Sequence, residues 1–274
     1  MSHDRIRVEP LAGALGAEIA GIDLAKPLDE SQVGEIRRAW LEHQVLFFRD
    51  QPLSIDEHKA FARRFGELHV HPVLQPMAGQ GHPEIVVLES DAKRPVVADR
   101  WHSDVTFERE PPLGSILRAV EVPAAGGDTM WASMTAAYDA LSETMKRALD
   151  GLRAMHSGAA FRRQASDAQR DSLARNEMTV HPVIRTHPET GRKGIFVNSI
   201  FTKRIEGMKP RESEILLAFL FEHVASPEFS CRFRWRKHSI AMWDNRCTQH
   251  RVVADNLTAY RRMERATIIG DRPF

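Results

Sequence analysis

The chain has 274 residues, and its 38 basic and 37 acidic side chains leave a formal net charge of +1. This balance excludes bulk electrostatic attraction to nucleic acid or to an anionic membrane surface, so neither is expected as a partner. Two cysteines, Cys231 and Cys247, are too few for a disulfide framework, and the N-terminus lacks a signal-peptide core, so we expect a cytoplasmic protein.

The first third of the chain predicts two helices set among short buried strands. Apolar residues at helical spacing among charges indicate a helix over Leu28–Gln44, which runs directly into a buried strand, Val45–Phe48. Ser54 is the expected cap of a second helix that ends at Gly66. Ile85–Leu88 is a further aliphatic run and predicts another buried strand.

The remainder of the chain is richer in strands. The predicted helices are Ser142–Leu152 and Pro210–Val224, and the predicted strands are Leu113–Val122, Phe229–Trp235, Ser239–Trp243 and Arg265–Ile269. Residues 161–179 are polar and poorly patterned, which predicts an inserted lid over the site. We therefore expect a single domain over 1–274, mainly β with flanking helices, built as a double-sheet jelly roll.

A His-x-Asp pair and a distant histidine form a candidate metal site. His102 and Asp104 lie two residues apart on a segment that we interpret as extended, so their side chains point to one side. His250 follows a predicted buried strand far downstream. Two imidazoles and one carboxylate are the ligands of non-haem iron(II) oxygenases, which keep the opposite coordination positions open for reactants.

Two arginines follow the second histidine. Arg261 and Arg265 are four residues apart in a segment interpreted as extended, so both can face one side of a strand. Two cations placed together are costly unless anions pair with them, and the planar guanidinium fork suits carboxylates. We therefore expect two anions in this site. The neighbouring Arg262 is expected only to pair with surface carboxylates.

Several motifs then carry a family resemblance. They are Trp-His-Ser-Asp-Val-Thr-Phe at 101–107, Gly-Gly-Asp-Thr at 126–129, Trp-Asp-Asn-Arg at 243–246 and Thr-Gln-His at 248–250. The chain resembles the taurine dioxygenase (TauD/TfdA) family nearly from end to end. That resemblance implies a double-stranded β-helix of the cupin-like jelly-roll kind, with iron(II), 2-oxoglutarate and O₂ as cofactor and cosubstrates.

The resemblance also implies residue roles. The matching iron ligands are His102, Asp104 and His250, the residues for 2-oxoglutarate are Thr129 and Arg261, and the residues for the primary substrate are His71, Val105, Phe201 and Arg265. Val105 is expected to act through its backbone N–H. The small anionic substrate is expected to be a taurine-like sulfonate, whose hydroxylation releases sulfite and an aldehyde together with succinate and CO₂.

Two positions depart from the taurine-specific pattern. Ala98 stands where taurine enzymes have an Asn that meets the amine, and Leu74 stands where they have a Tyr. An apolar pair suits an alkyl chain better than an ammonium group, whose desolvation would go uncompensated. An alkyl sulfate or an aryloxyalkanoate therefore remains an alternative substrate within the same family.

Two other classes of protein also remain open. A zinc hydrolase can use two His and one Asp with an open position, although it has no need for Arg261 at its offset. A non-catalytic jelly-roll binder would hold no metal. The oligomeric state stays open, a homo-oligomer included.

Overall fold

A computed structural model describes residues 5–71, 74, 78–79, 81–93, 98–161, 178–256 and 258–274. The predicted lid over 161–179 lies outside the described residues except at its two ends. The helices are, in chain order, α1 (Glu30–His43), α2 (Ile55–Arg63), α3 (Met134–Asp139), α4 (Glu143–Leu149) and α5 (Pro210–Val224). Short 3-10 helices span Gly158–Phe161 and Pro227–Phe229.

The strands are, in chain order, β1 (Arg7–Pro10), β2 (Ala17–Ala20), β3 (Val45–Phe48), β4 (Ala78–Gly79), β5 (His82–Ser90), β6 (Gly114–Glu121), β7 (Thr129–Ser133), β8 (Arg153–His156), β9 (Thr179–Pro182), β10 (Ile184–Thr186), β11 (Lys193–Ile195), β12 (Thr202–Ile205), β13 (Ser230–Phe233), β14 (Ile240–Asp244), β15 (Thr248–Val252) and β16 (Arg261–Ile268). An eight-stranded sheet has the order β1-β2-β3-β14-β6-β16-β5-β4, and a three-stranded sheet has the order β13-β7-β15. Smaller sheets join β12-β8-β9 and β10-β11. The mainly β, double-sheet prediction is confirmed.

Two central strands of the larger sheet, β3 and β14, are buried on both faces. In β3, Leu46 and Phe48 pack into a core shared with α1 and α2, whereas Val45 and Phe47 point to the opposite face. The second core lies between the two sheets, where Phe47 stacks on Phe233 of β13 with ring centroids 4.1 Å apart. A strand covered on both sides has no need for polar alternation, which is why these segments are continuously apolar.

The two N-terminal helices cover the outer face of the larger sheet. Asp29 and Ser54 each form a capping box at a helix start, so both predicted starts are correct to within two residues. The second helix ends at Arg63 rather than Gly66, because Gly66 follows one further turn of non-helical chain. Pro210–Val224 has its predicted bounds. No helix within the described ranges is both long and apolar enough to cross a bilayer.

The buried histidine of α2 makes stability depend on pH. The Nε2 of His58 donates to the carbonyl oxygen of Ile116 at 3.0 Å. Burial first, and then the charge of Arg118, lowers the pKa of His58 from 6.5 to about 4. The unfolded chain therefore takes up this proton before the folded chain does. Stability is full above the unfolded pKa and falls as the pH drops through the window between the two values.

We predict that His58→Gln, which keeps an amide donor but does not titrate, weakens this dependence. Between about pH 7.5 and about pH 5, the wild type should lose about 2 kcal/mol more of its free energy of unfolding than the variant does. Urea denaturation at the two pH values measures the difference. Equal losses in both proteins would contradict the neutral state of His58.

Candidate metal centre and anion sites

The two candidate histidines are held side by side by their own backbones. His102 and His250 form an isolated antiparallel bridge, in which the N–H of each donates to the carbonyl oxygen of the other at 3.1 and 2.7 Å. The imidazole centroids lie 4.2 Å apart. Next to this bridge, the Ser103 hydroxyl donates to the Thr248 carbonyl oxygen at 2.6 Å. Two segments distant in sequence are thus joined directly at the ligand positions.

Asp104 reaches the same point from a turn and not from a strand. The prediction that His102 and Asp104 share an extended segment is wrong beyond His102, since the chain turns at 104–107 and Val105 has a φ of 53°. The Glu108 N–H closes this turn by donating to the Val105 carbonyl oxygen at 2.9 Å. Strand propensity is overridden here because tertiary contacts decide the conformation of short segments.

The Asp104 carboxylate is surrounded by donors. Arg265 Nη1 donates to Oδ1 at 2.7 Å, and the Ser115 hydroxyl donates to Oδ2 at 3.0 Å. The backbone N–H of Asp104 itself donates to Asn245 Oδ1 at 3.3 Å. Burial alone would raise the pKa of Asp104, but Arg265 and the two imidazoles outweigh it and hold that pKa below its ordinary value.

The imidazoles are neutral and oriented for a metal ion. His102 Nδ1 lies 2.8 Å from the carbonyl oxygen of Arg100, so it carries the proton and leaves the Nε2 lone pair for a ligand. Burial lowers the pKa of His102, and burial together with His102 lowers the pKa of His250 to about 3. Neutral imidazoles and an ionised carboxylate are the protonation states that metal binding requires.

The three side chains fit a divalent iron centre. Their ligand atoms lie within 4.8 Å of one another, and all three residues are buried. Two nitrogens and one oxygen suit iron(II), and three ligands grouped on one side leave the remaining positions for reactants. The structure therefore brings His102, Asp104 and His250 together as the sequence predicts.

A second cluster, His187 with Asp244 and Cys247, has similar spacing but a different chemistry. Both carboxylate oxygens of Asp244 already accept hydrogen bonds from Arg246, and Oδ2 also accepts one from His187 Nε2 at 3.0 Å. Burial holds the pKa of the Cys247 thiol well above its ordinary value, which disfavours the thiolate. This cluster is an internally satisfied ion pair with no free ligand pair to offer.

Arg261 is a buried cation without an anionic partner among the described residues. Its side chain is 6% exposed, and none of the described residues accepts a hydrogen bond from its Nε or Nη2. Burial lowers the pKa of Arg261 to about 10. A Cβ added to Gly127 would lie 3.6 Å from Arg261 Cδ, so the glycine pair before Thr129 borders this side chain. The arrangement suits a carboxylate that arrives with the cosubstrate.

Thr129 is the first residue of β7 and follows Gly127, the neighbour of Arg261, by two positions. Its hydroxyl oxygen accepts a hydrogen bond from Trp235 Nε1 at 2.9 Å, which fixes the oxygen and leaves its own proton to donate. The residue is 2% exposed. Sequence reasoning identified Thr129 but not the tryptophan that orients it.

Arg265 differs from Arg261 in having a protein partner. We expected two anions to pair with the two arginines, and the structure shows that Arg265 also pairs with Asp104, while its Nε is a buried atom with no partner among the described residues. The two arginines do face the same side of β16, because Arg261, Met263 and Arg265 alternate with residues that face α1 and α2. Arg262 pairs with Glu89 at 2.9 Å, as predicted.

His71 lies close to Arg265 and is neutral. Its Nδ1 accepts a hydrogen bond from the Leu74 backbone at 3.0 Å, so the proton sits on Nε2. Burial, and then the charge of Arg265, lowers the pKa of His71 to about 3. His71 can therefore donate a hydrogen bond to an anion without adding a charge.

An apolar wall borders the metal ligands. Val105 and Phe201 belong to it, and the structure adds three residues that sequence reasoning missed, which are Phe107, Ile200 and Phe161. The rings of Phe107, Phe161 and Phe201 contact one another with centroids 5.4 to 5.7 Å apart. Phe107 lies inside the 101–107 motif, so the motif could have identified it as a residue of the site. Phe161 begins the unpatterned stretch, and no sequence pattern identifies it.

Comparison with known proteins agrees with this geometry. Residues 7–267 match the family model described as taurine catabolism dioxygenase TauD, TfdA family. The chain belongs to the TauD/TfdA family.

Relatives within the TauD/TfdA family differ in the substrates that their names give. An α-ketoglutarate-dependent sulfate ester dioxygenase from Pseudomonas putida is 38% identical over 276 residues, covering 97% of this chain and 90% of the relative. A solved taurine dioxygenase from Burkholderia xenovorans has a TM-score of 0.85 at 41% identity, covering 98% of this chain and 91% of that one. AAD-2 in complex with Mn(II) and N-oxalylglycine has a TM-score of 0.80 at 31% identity, covering 98% of both chains. The implied double-stranded β-helix is therefore correct.

The contrast between the two His-Asp clusters predicts which one binds metal. His102→Ala should weaken Mn(II) binding by at least about 100-fold, because it removes one of three ligands. The matched control is His187→Gln, which alters the internally satisfied cluster and should leave Mn(II) affinity unchanged. Titration followed by the Mn(II) EPR signal measures both. If only His187→Gln lost Mn(II) affinity, the metal would bind at the cluster of His187, Asp244 and Cys247, and the prediction would be wrong.

Proposed function

We propose that this TauD/TfdA family member is a 2-oxoglutarate-dependent dioxygenase that hydroxylates a small organic anion carrying an apolar chain. The observation that carries the proposal is the buried cation Arg261, whose Nε and Nη2 have no partner among the described residues, beside a buried two-His, one-carboxylate cluster. A metal cluster alone is compatible with hydrolysis. A buried guanidinium without an anion needs one, and 2-oxoglutarate supplies a carboxylate far from its chelating end.

The proposed roles divide between two ends of the site. His102, Asp104 and His250 hold iron(II), while Arg261 and the Thr129 hydroxyl hold the distal carboxylate of 2-oxoglutarate. Bound iron, 2-oxoglutarate and O₂ together supply the oxidising power. The chain's own residues bind and orient the reactants and exclude water, which is where a protein contributes to chemistry of this kind.

The substrate anion is proposed to bind at Arg265 and His71. Arg265 offers the charge, neutral His71 offers an Nε2 proton, and Val105 offers its backbone N–H. The apolar part of the substrate would then lie along Phe107, Phe161 and Phe201. This places a carbon next to the anionic group close to the metal ligands.

The wall residues favour an alkyl chain over an amine. The side chains of Ala98, Leu74 and the three phenylalanines have no hydrogen-bond acceptor. An ammonium group would therefore lose its hydrogen bonds to water and gain none from these residues. We therefore favour a sulfate ester or sulfonate with a hydrocarbon chain over taurine itself, with an aryloxyalkanoate as the alternative. The sulfate ester dioxygenase relative supports this order.

Two further parts of the proposal concern the whole chain. We propose that residues 1–274 act as one catalytic domain, which is supported by the eight-stranded sheet, since its strands come from both ends of the chain. A zinc hydrolase is disfavoured, because such an enzyme has no use for a buried guanidinium that lacks an anionic partner in the described part of the chain. A non-catalytic binder is disfavoured by the three aligned ligand atoms.

Anaerobic titration of the iron(II)-loaded protein with 2-oxoglutarate tests the proposal. Chelation of the metal by the keto acid should produce a weak visible charge-transfer band that saturates with added 2-oxoglutarate. Succinate release is then measured with hexyl sulfate, hexanesulfonate, taurine and phenoxyacetate. A folded, iron-loaded protein that gives no band and no succinate would refute the proposal.

The two arginines should separate the two anions. Arg261→Ala should weaken 2-oxoglutarate binding by about 100-fold, since a buried charge-assisted contact is lost. Arg265→Ala should instead raise the KM of the primary substrate by at least about tenfold. Because Arg265 also pairs with Asp104, Mn(II) affinity is measured alongside.

The control is Arg262→Ala, on the other side of the same strand, which should change neither binding constant. The division of roles would be wrong if both active-site variants lost affinity for the same anion.

A further inference from the structure

A buried hydrogen-bonded set lies behind the turn that carries Asp104. The Thr106 hydroxyl lies 3.0 Å from His156 Nδ1 and accepts a hydrogen bond from Asn198 Nδ2 at 3.0 Å. Thr106, Asn198 and His156 are each at most 2% exposed. We call these three residues the Thr106 network. None of them is a candidate ligand for iron, cosubstrate or substrate.

The network needs no charged member. The Thr106 oxygen accepts from the Asn198 amide, and it also lies within hydrogen-bond distance of His156 Nδ1, which donates or accepts according to the ring tautomer. Burial, followed by the nearby His181, holds the pKa of His156 well below its ordinary value, so the ring is neutral. The three side chains can therefore hydrogen-bond to one another without a charge, and such buried contacts restrict their motion.

The turn that the network holds is strained. Val105 has a φ of 53°, a left-handed conformation that a β-branched residue rarely adopts. Such strain persists only where the surroundings over-determine it. The turn is also tied on its C-terminal side, since the Phe107 carbonyl oxygen accepts from the Thr179 hydroxyl and the Glu108 carbonyl oxygen accepts from His181 Nε2 at 2.9 Å.

Asn198 joins this turn to a second one that carries the opposite part of the wall. Its Oδ1 accepts hydrogen bonds from the backbone N–H groups of Ile200 and Phe201 at 3.2 and 2.9 Å. One amide side chain therefore holds the Phe201 turn with its oxygen and the Thr106 turn with its nitrogen. The rings of Phe107 and Phe201, which the two turns carry, meet at 5.4 Å.

The same segment also touches both histidine ligand segments. The Ser199 hydroxyl donates to the carbonyl oxygen of Trp101, the residue before His102, at 3.1 Å. Gln249 Nε2, beside His250, donates to the Val197 carbonyl oxygen at 2.7 Å. Residues 197–201 thus form a support that contacts the segment of His102, the turn of Asp104 and the segment of His250.

We propose that Thr106 and Asn198 are positioning residues that set the substrate wall against the metal ligands, and thereby determine how completely 2-oxoglutarate consumption is coupled to substrate oxidation. The proposal rests on the proposed dioxygenase function. Phe107 and Phe201 would hold the substrate carbon, and Asp104, two residues before Thr106, would hold the metal. A shift of one relative to the other misplaces the carbon, and small misplacements of reacting groups cost large factors in rate.

The test separates the hydroxyl of Thr106 from its methyl group. Thr106→Val keeps the shape and removes the hydrogen bonds, whereas Thr106→Ser restores the hydroxyl. Thr135→Val is the matched control, because Thr135 is a buried threonine whose hydroxyl pairs with Ser133 and lies outside the Thr106 network. Thr106→Ala takes the place of Thr106→Val if the latter does not fold.

The principal readout is aldehyde released per succinate formed with hexyl sulfate, or with whichever of the four acids is oxidised fastest. Thr106→Val should lower this ratio by at least about threefold and raise the KM of the acid by about tenfold, with the affinity for 2-oxoglutarate unchanged. Thr106→Ser and Thr135→Val should retain the wild-type ratio. A loss of folded protein alone lowers the rate but not the ratio.

Two results would overturn the proposal. One is an unchanged ratio in folded Thr106→Val, and the other is an equal fall in Thr135→Val. If the wild type gives no charge-transfer band and forms no succinate with any of the four acids, the dioxygenase function has failed instead. Whenever none of the four acids yields succinate, the visible d–d bands of the Co(II)-loaded proteins decide the positioning role separately. Bands altered in Thr106→Val and restored in Thr106→Ser support it, and identical bands in all three proteins refute it.

Discussion

The mutual backbone hydrogen bonds of His102 and His250 are the interaction on which the site depends. A hydrogen-bonded antiparallel pair fixes the separation and the relative direction of its two side chains. Here that constraint joins the turn after β5 to the strand β15, so the spacing of the imidazoles is set by main-chain geometry and not by side-chain contacts. Asp104 needs only a turn to complete the group. The candidate metal centre is therefore held together by main-chain contacts that do not require an ion.

Charge is distributed unequally around this centre. Arg265 is neutralised by Asp104, whereas Arg261 is buried without an accepting partner in the described part of the chain. A desolvated cation next to a neutral wall attracts an anion strongly, because little competing hydration remains. The histidines nearby are neutral, so they add hydrogen-bond donors but no further charge. In the proposed function, Arg261 thus provides one strong anion position, and Arg265 provides a second one while it also pairs with Asp104.

The fold places these groups by covering the larger sheet on both faces. Residues of β16 that face α1 and α2 are apolar or paired, and the alternate residues enter the space between the sheets, where Arg261 and Arg265 lie. The same alternation puts the aromatic core of Phe47, Phe233 and Trp131 beside them. A dense core next to the polar site restricts side-chain motion, since packed interiors tolerate few alternative arrangements.

The amino-acid sequence alone determined the helix starts, the buried strands and the ligand set, because capping residues, continuous apolar runs and the His-x-Asp motif are local signals. It also singled out Arg261, whose spacing from His250 is readable without a structure. Tertiary structure alone decided the turn at Asp104, where buried contacts override the strand preference of Val105. It likewise decided the pairing of Arg265 with Asp104 and the Thr106 network, since each joins residues far apart in sequence. No local pattern encodes such contacts, because they exist only once the sheets have closed around them.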